Sequence, residues 1–508
     1  MPRAPFFVRY DFFIASALIA ALTLWRVFYL FHSGRELFFD EAQYAYWAAH
    51  LDFGYYSKPP VVAWAIAASQ YFCGQGESCA RLPAPLFHAG AALFVFAAAR
   101  TAFGRSGGVA LPSSLAYATL PGVFLSSSLI STDAPLLFFW AGALFFFVRA
   151  VMAPHRLADW IGCGLCSGLG LESKYSMAFF AVGALGYVVA TPYRRYILAK
   201  TGVWTGGAIT FLLLLPNVMW NAQNGFVSFL HTGDNASGEG YGFHPEAFAE
   251  FFGGQFAVFG PIFFPVLLVA LCCRPREGRP NEPNDALLAW QVVPALAMMG
   301  TLAFFSRAHA NWAAPAYVAG SIYVARYLCA TRRAWLIYAG IALHVALAAI
   351  AFYPGKTAEA LNISLAAHTD LGRRTVKDPY MRLVGGRDLG EKIDEYVRLA
   401  RHKPVALLTD DRATHALLAY YSALPDERIL RLPGRRVADH FQLTASFDAA
   451  RATPGEYWIV SRRYDRARFA ETFGKASLWR RFDVGPYEGG RKRYYLYRVR
   501  VASSGEKP

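Results

Sequence analysis

Asp40 and Glu41 stand just beyond the first long apolar run of this chain, and Asp133 opens a later one. Lys58 lies in YYSKPP, Glu172 and Lys174 sit at a turn between two apolar runs, and Asn217 and Asn221 end another. Arg307, His309 and Asn311 share the short stretch SRAHAN. Carboxylates in such places can align an acceptor hydroxyl or take its proton, while Lys, Arg and His can hold a phosphate as its charge grows. Asp40 or Asp133 fits the first task; Lys58, Arg307 or His309 fits the second. If Asp40 opens a helix, an orienting role suits it better than that of a strong base, because a helix N-terminus stabilises a carboxylate.

These groups come from separate segments, so something long and apolar must carry them to one place. The chain has 508 residues, of which 55% are hydrophobic, 16% aromatic and only 17% charged. Apolar runs of the length needed to cross about 30 Å of hydrocarbon recur before Tyr353. Eleven spans are expected, near 12–31, 86–103, 109–127, 133–149, 159–173, 175–192, 200–220, 248–272, 286–305, 312–328 and 334–353. With the N-terminus inside, the inner loops are RTAFGR, RAVMAPHR, YRRYILAK, RPREGRP and TRR, and every one is basic. The polar groups above then all fall on the outer side. Ionisable groups beside a bilayer are costly and tend to face one another or a water-filled cavity, so a shared outer site is expected. No small-residue cleavage site follows the first run, which reads as a signal anchor.

The net charge of +15 does not point to nucleic acid, because the basic residues of this half cluster between spans, where they set topology and meet anionic lipid. No GxxxxGK[ST] loop and no GxGxxG after a strand are present, so neither a nucleotide cofactor nor nucleotide-driven transport has support. No metal-ligand cluster stands out, although a divalent ion stays compatible with the acidic residues. Cys73 and Cys79 enclose GQGES in the first outer segment and can close a small disulfide loop. Cys163 and Cys166 form a CxxC within a span, where packing explains them better than redox chemistry.

After Pro354 the long apolar runs stop and charges become dense. Residues 390–401 and 412–424 carry helical patterns, whereas 405–411, 456–461 and 493–501 read as strands. Such alternation predicts a small soluble α/β domain over 354–508, following a polytopic helical membrane domain over 1–353. Asp410–Asp411, at the end of a strand, reads as a helix cap before it reads as a site.

The order FFDEAQYAYW, YYSKPP, ARLPAPL and STDAPLLFFW resembles the GT-C class of membrane glycosyltransferases, in the branch of protein O-mannosyltransferase-like enzymes and lipid A aminoarabinose transferases. LESKYS, LPNVMWNAQNGFVSFLH and SRAHANWAAPAY resemble further segments of its bacterial members, and the resemblance covers about 1–353. It implies transfer of a sugar from a polyprenyl-phosphate donor to an envelope acceptor, a lipopolysaccharide core, lipid A or related glycolipid, with inversion. The site would face the periplasm from a multi-pass inner-membrane protein that also meets membrane lipids. The family's acids match Asp40 and Asp133, and its phosphate-contacting lysine matches Lys58; Glu41, Tyr44, Lys174 and Asn221 are then expected on substrate. Gln43 departs from the aminoarabinose transferases, which carry arginine there, so a different donor or acceptor is implied. Transferases that add galacturonic acid to lipopolysaccharide share the DEAxY pattern. A transporter or lipid flippase is the rival reading, but it predicts mid-span charge and paired, interrupted helices in two related halves, whereas here charge concentrates at one face and no internal repeat stands out.

Overall fold

The computed structural model of the chain describes residues 6–105, 108–237, 242–272, 283–306, 308–360, 364–366, 375–377, 380–485 and 491–502. Two compact units emerge. The first comprises Met1–His32, Lys58–Gly74 and Ser78–Phe352; the second comprises Ser33–Ser57, Gln75–Glu77 and Tyr353–Pro508. The expected division at 353/354 therefore needs a change: Asp40 and its segment fold with the C-terminal region, not with the helices on either side of them.

The first unit is helical and polytopic. Among the described residues six helices are long and apolar enough to cross a membrane: Tyr10–His32, Glu77–Phe103, Asp133–Met152, Thr201–Gln223, Pro283–Phe305 and Trp335–Phe352. Two bent pairs, Tyr175–Ala190 with Pro192–Ala199 and Pro245–Val258 with Phe263–Cys272, raise the count to eight if each is one span. Eleven were expected. The other three are helical but short: Leu157–Leu171, Ala316–Ala330, and a run divided into Ala110–Thr119 and Pro121–Ser128. Pro121 causes that division, since it lacks the N–H an uninterrupted helix needs and biases Leu120 to an extended conformation, ψ 138°. Gly260, at φ 99°, gives the second bent pair its 111° turn. The basic loop 274–280 lies outside the described residues.

Packing between these helices depends on small residues. Leu157–Leu171 and Thr201–Gln223 approach so closely that a Cβ on Gly164 would stand 2.4 Å from the Gly206 carbonyl oxygen. Arg149 and Asp159 pair at 2.6 Å at one end of the hairpin formed by Asp133–Met152 and Leu157–Leu171. Asp133 and Lys174 pair at its other end, also at 2.6 Å.

The second unit is α/β. Its five-stranded sheet runs Ile429–Arg431, Leu407–Thr409, Gly455–Ser461, Lys492–Val501, Ala476–Val484, with the first three strands parallel and the last two antiparallel to their neighbours. Gly386–Leu399 and Arg412–Tyr421 bury Leu389, Ile393, Leu417 and Leu418 against it. Leu37, Ala42 and Ala45, on and before the helix Phe39–Ala49, belong to that same core. Asp411 caps Arg412–Tyr421, accepting from the Thr414 N–H at 2.9 Å and its hydroxyl at 2.6 Å. The strands at 429–431 and 476–484 have no sequence counterpart above; the first is three residues long, and the second loses its alternation at a register shift where Arg480 and Arg481 are both exposed.

Candidate active site

In the first unit the charged groups meet around Asp133. It opens its helix, so the N-terminal peptide dipoles and a lysine face the same carboxylate. Oδ1 accepts from Lys174 Nζ at 2.6 Å and Oδ2 from Asn311 Nδ2 at 2.8 Å. Lys58 lies within electrostatic range of the same group. The two lysine segments are joined directly, because the Val61 N–H, three residues after Lys58, donates to the Glu172 carbonyl at 3.0 Å. Asn311 is held by a short 3-10 turn, Ala310–Ala313, whose Ala310 carbonyl accepts from Gln255 Nε2 at 3.3 Å. Tyr317 in turn donates to Gln255 Oε1 at 2.6 Å.

A cavity of about 400 Å³ opens beside this cluster. Leu120, Val123, Leu129, Leu137 and Val258 make most of its wall apolar, while Asp133 and Asn311 supply polar groups. The arrangement suits a molecule with an apolar chain at one end and a hydroxylated head at the other.

In the second unit the helix Phe39–Ala49 carries Asp40 in its first turn. Arg412 Nη2 lies 2.8 Å from Asp40 Oδ1, and Arg412 Nη1 donates to Gln43 Oε1 at 3.3 Å. The guanidinium also lies over the Phe39 ring, 4.9 Å from its centroid. Asp40 keeps about a third of its side chain in the open, 34%, against 14% for Asp133. The two acids therefore differ in kind. Asp133 has both oxygens occupied by fixed donors, whereas Asp40 has one oxygen held and a surface left over.

The remaining expected residues divide. Glu41 is buried and accepts the Phe38 N–H at 2.9 Å, which closes the start of its own helix. Tyr44 is buried against Trp47. Asn221 is fully buried: its amide donates to the Asn217 carbonyl at 3.0 Å and its oxygen accepts the Ser228 N–H at 3.2 Å. Asn221 thus ties helix to helix, and Glu41 closes the start of its own helix. His309 precedes the Asn311 turn and packs edge-on to Trp312. Arg307 lies outside the described residues. Cys73 and Cys79 are disulfide-bonded, with Cα atoms 5.6 Å apart.

Two groups escaped the sequence reading as site members. Asn311 was visible only as one polar residue of three in its loop. Arg412 had no signal at all, since nothing in RATHALLAYY distinguishes its first residue from any solvated helix charge.

The protein family described as dolichyl-phosphate-mannose-protein mannosyltransferase matches residues 57–220. The lipid A galacturonosyltransferase RgtD of Rhizobium johnstonii is 36% identical over 323 residues, 63% of this chain and 65% of that protein. The lipopolysaccharide core galacturonosyltransferase RgtA of the same organism is 25% identical over 211 residues, 41% of this chain and 42% of that protein. These alignments span less than two thirds of either relative. The crystal structure of ArnT from Cupriavidus metallidurans bound to undecaprenyl phosphate superposes with a TM-score of 0.63, at 15% identity, covering 97% of this chain and 99% of that one. Sequence and fold point the same way: residues 57–220 match the mannosyltransferase family, the chain is similar to two galacturonosyltransferases, and it shares its fold with the ArnT structure.

Proposed function

We propose that this protein transfers galacturonic acid from a polyprenyl-phosphate donor to lipid A or the lipopolysaccharide core, at the periplasmic face of the inner membrane. The observation that carries the reading is the Asp133–Lys174 pair beside a largely apolar cavity, with Lys58 in electrostatic range. A lipid-linked phosphate needs apolar room for its chain and cations for its head. The sugar and the acceptors are those named for the two galacturonosyltransferases, and Gln43 sets the chain apart from the aminoarabinose pattern. The basic loops at 100–105, 149–156, 193–200 and 331–333 support the orientation.

In the proposed step an acceptor hydroxyl oxygen attacks the anomeric carbon. The bond from that carbon to the phosphate oxygen breaks, and its electron pair leaves with the phosphate. The hydroxyl proton passes to a carboxylate. Lys58 and Lys174 stabilise the leaving phosphate more than they stabilise the bound donor, because its charge grows as the bond breaks. Asp40, which matches the first acid of the GT-C motif and keeps about a third of its side chain exposed, takes the acceptor role. A single displacement inverts the anomeric centre.

The test compares lipid A and core oligosaccharide by mass spectrometry from cells with and without the chain. One hexuronosyl increment should disappear with it, and purified protein should release polyprenyl phosphate only when acceptor is present. Envelope glycolipids identical in both strains, together with no acceptor-dependent release, would reject the transferase reading in favour of lipid movement without covalent change.

A further inference from the structure

The C-terminal region and the segment around Asp40 form one folded body, and its contacts single out a residue that no motif marks. Glu36 Oε2 accepts the N–H groups of Gly386 and Arg387 at 2.6 and 3.2 Å, so it caps the helix Gly386–Leu399 from outside that helix. The residue preceding that helix is Gly385, which has no side chain to do so. The Leu37 N–H donates to Tyr421 Oη at 2.7 Å. Trp47 stacks on Tyr55 at 4.3 Å, and both meet His440 edge-on. Tyr56 Oη donates to the Val437 carbonyl at 3.1 Å. The backbone that carries Asp40 is therefore anchored at many points without help from its own side chain.

Against that background the Asp40–Arg412 pair contributes little to folding. Both side chains are about one-third exposed, at 34% and 35%, and water screens exposed ion pairs so that they stabilise little. Its geometry is nonetheless over-determined. The backbone at Arg412 is fixed by the Asp411 cap, its Nη1 is held by the buried Gln43, and its plane is packed over Phe39. What remains adjustable is the carboxylate, and Arg412 Nη2 engages one of its oxygens only.

We infer that Arg412 is a positioning residue for transfer: it fixes the Asp40 carboxylate through Oδ1 so that Oδ2 faces the acceptor hydroxyl. The inference rests on the proposed function and on Asp40 as the acceptor-aligning acid. A planar fork does this better than an ammonium, because two of its nitrogens are committed in one plane.

The experiment uses full-length protein in detergent, with a polyprenyl-phosphate-linked galacturonic acid donor and lipid A acceptor. Arg412→Ala should lower kcat about 10²-fold, the usual cost of misplacing a reacting group, while KM for the donor moves by less than about threefold. Arg412→Lys should recover part of the loss. In an Asp40→Asn background Arg412→Ala should cost less than about threefold, because the group it positions is already disabled. The unfolding midpoint should not move. Folded Arg412→Ala with wild-type kcat, or losses that simply multiply with those of Asp40→Asn, would overturn the assignment. If Arg412→Ala does not fold, Arg412→Gln and Arg412→Lys decide by the same criteria. A wild-type protein that transfers nothing rejects the functional reading itself, and a fully active Asp40→Asn removes Asp40; both outcomes are separate from failure of Arg412.

Discussion

Lys174 Nζ lies 2.6 Å from Asp133 Oδ1, joining two helix ends that are 41 residues apart in sequence. The side chains are 17% and 14% exposed, so neither charge is well hydrated. With Asn311 on the second oxygen, both carboxylate oxygens have a donor, and on the proposed reading the acid holds the lysine. That order of roles, acid as anchor and lysine as working cation, leads to distinct outcomes on substitution.

Lys174→Met should destabilise the protein by about 3 kcal/mol, because it leaves a mostly buried carboxylate without its cation. Adding Asp133→Asn should restore most of that stability, since the uncompensated charge is then gone too. Transfer should not return with it. Chemical unfolding and specific activity measured on the single and double variants check this, and recovery of activity along with stability would mean that the pair is structural only.

Lys58 differs in having its effect on the donor. Lys58→Ala should lower kcat as well as raise KM for the polyprenyl-phosphate donor, with a loss in kcat/KM of about 1.5–3 kcal/mol, the range of a hydrogen bond to a charged group. Lys58→Arg should recover it in part. Donor titrations at saturating acceptor measure this directly; an unchanged KM and kcat for Lys58→Ala would remove Lys58 from the phosphate site.

The distribution of what could be read beforehand follows from range along the chain. All eleven apolar runs are helical, because a run of apolar residues is local information. Whether each is long enough to cross depends on single breaks such as Pro121 and Gly260, which blur inside a hydropathy window. Asp411 was legible as a cap because cap and capped N–H are three residues apart. The pairing of Asp40 with Arg412 was not, since it depends on the segment 33–57 leaving the membrane half and joining a core built from Leu389, Leu417 and Leu418. The burial of Asn221 and Glu41 was hidden for a related reason: polarity near a span marks either a site or a buried tie, and the sequence does not separate the two.

Cys73 and Cys79 give a prediction of another kind. Their bond closes a loop with a sequence separation of 6, which restrains the unfolded chain by about 2 kcal/mol. Protein alkylated without reductant should yield one peptide pair linked through these residues, and reduction should lower the unfolding midpoint. Two separately alkylated cysteines in unreduced protein would exclude the bond.

Acid should loosen the second unit before neutral or mildly alkaline solution does. His415 is buried, bonded through Nδ1 to Thr409 Oγ1 at 2.9 Å and stacked on Phe441, and burial with the nearby Arg431 charge pushes its pKa down to about 3. His440 is pushed down to about 3 as well, by burial and then by His50. A lowered folded-state pKa means that the unfolded chain binds more protons between about 3 and the ordinary value of 6.5. Stability is therefore complete above 6.5 and is lost as pH falls towards 3, by up to about 1.4 kcal/mol per pH unit for each histidine. Asp410 and Asp426 oppose this at the acid end, because burial raises both, and protonation then favours the folded form. The histidine contribution starts first as pH falls from 6.5, so it is read from pH 6.5 down to about 5, with the raised carboxylates opposing it more strongly towards the acid end. Hydrogen exchange read by mass spectrometry on peptides from Gly386–Leu399 and Arg412–Tyr421 should show protection factors that fall across that window, after correction for intrinsic exchange. His415→Gln should flatten the dependence by about half, whatever it does to the protection at pH 7. Protection independent of pH between 6.5 and 5 would mean that neither histidine is held neutral by the fold.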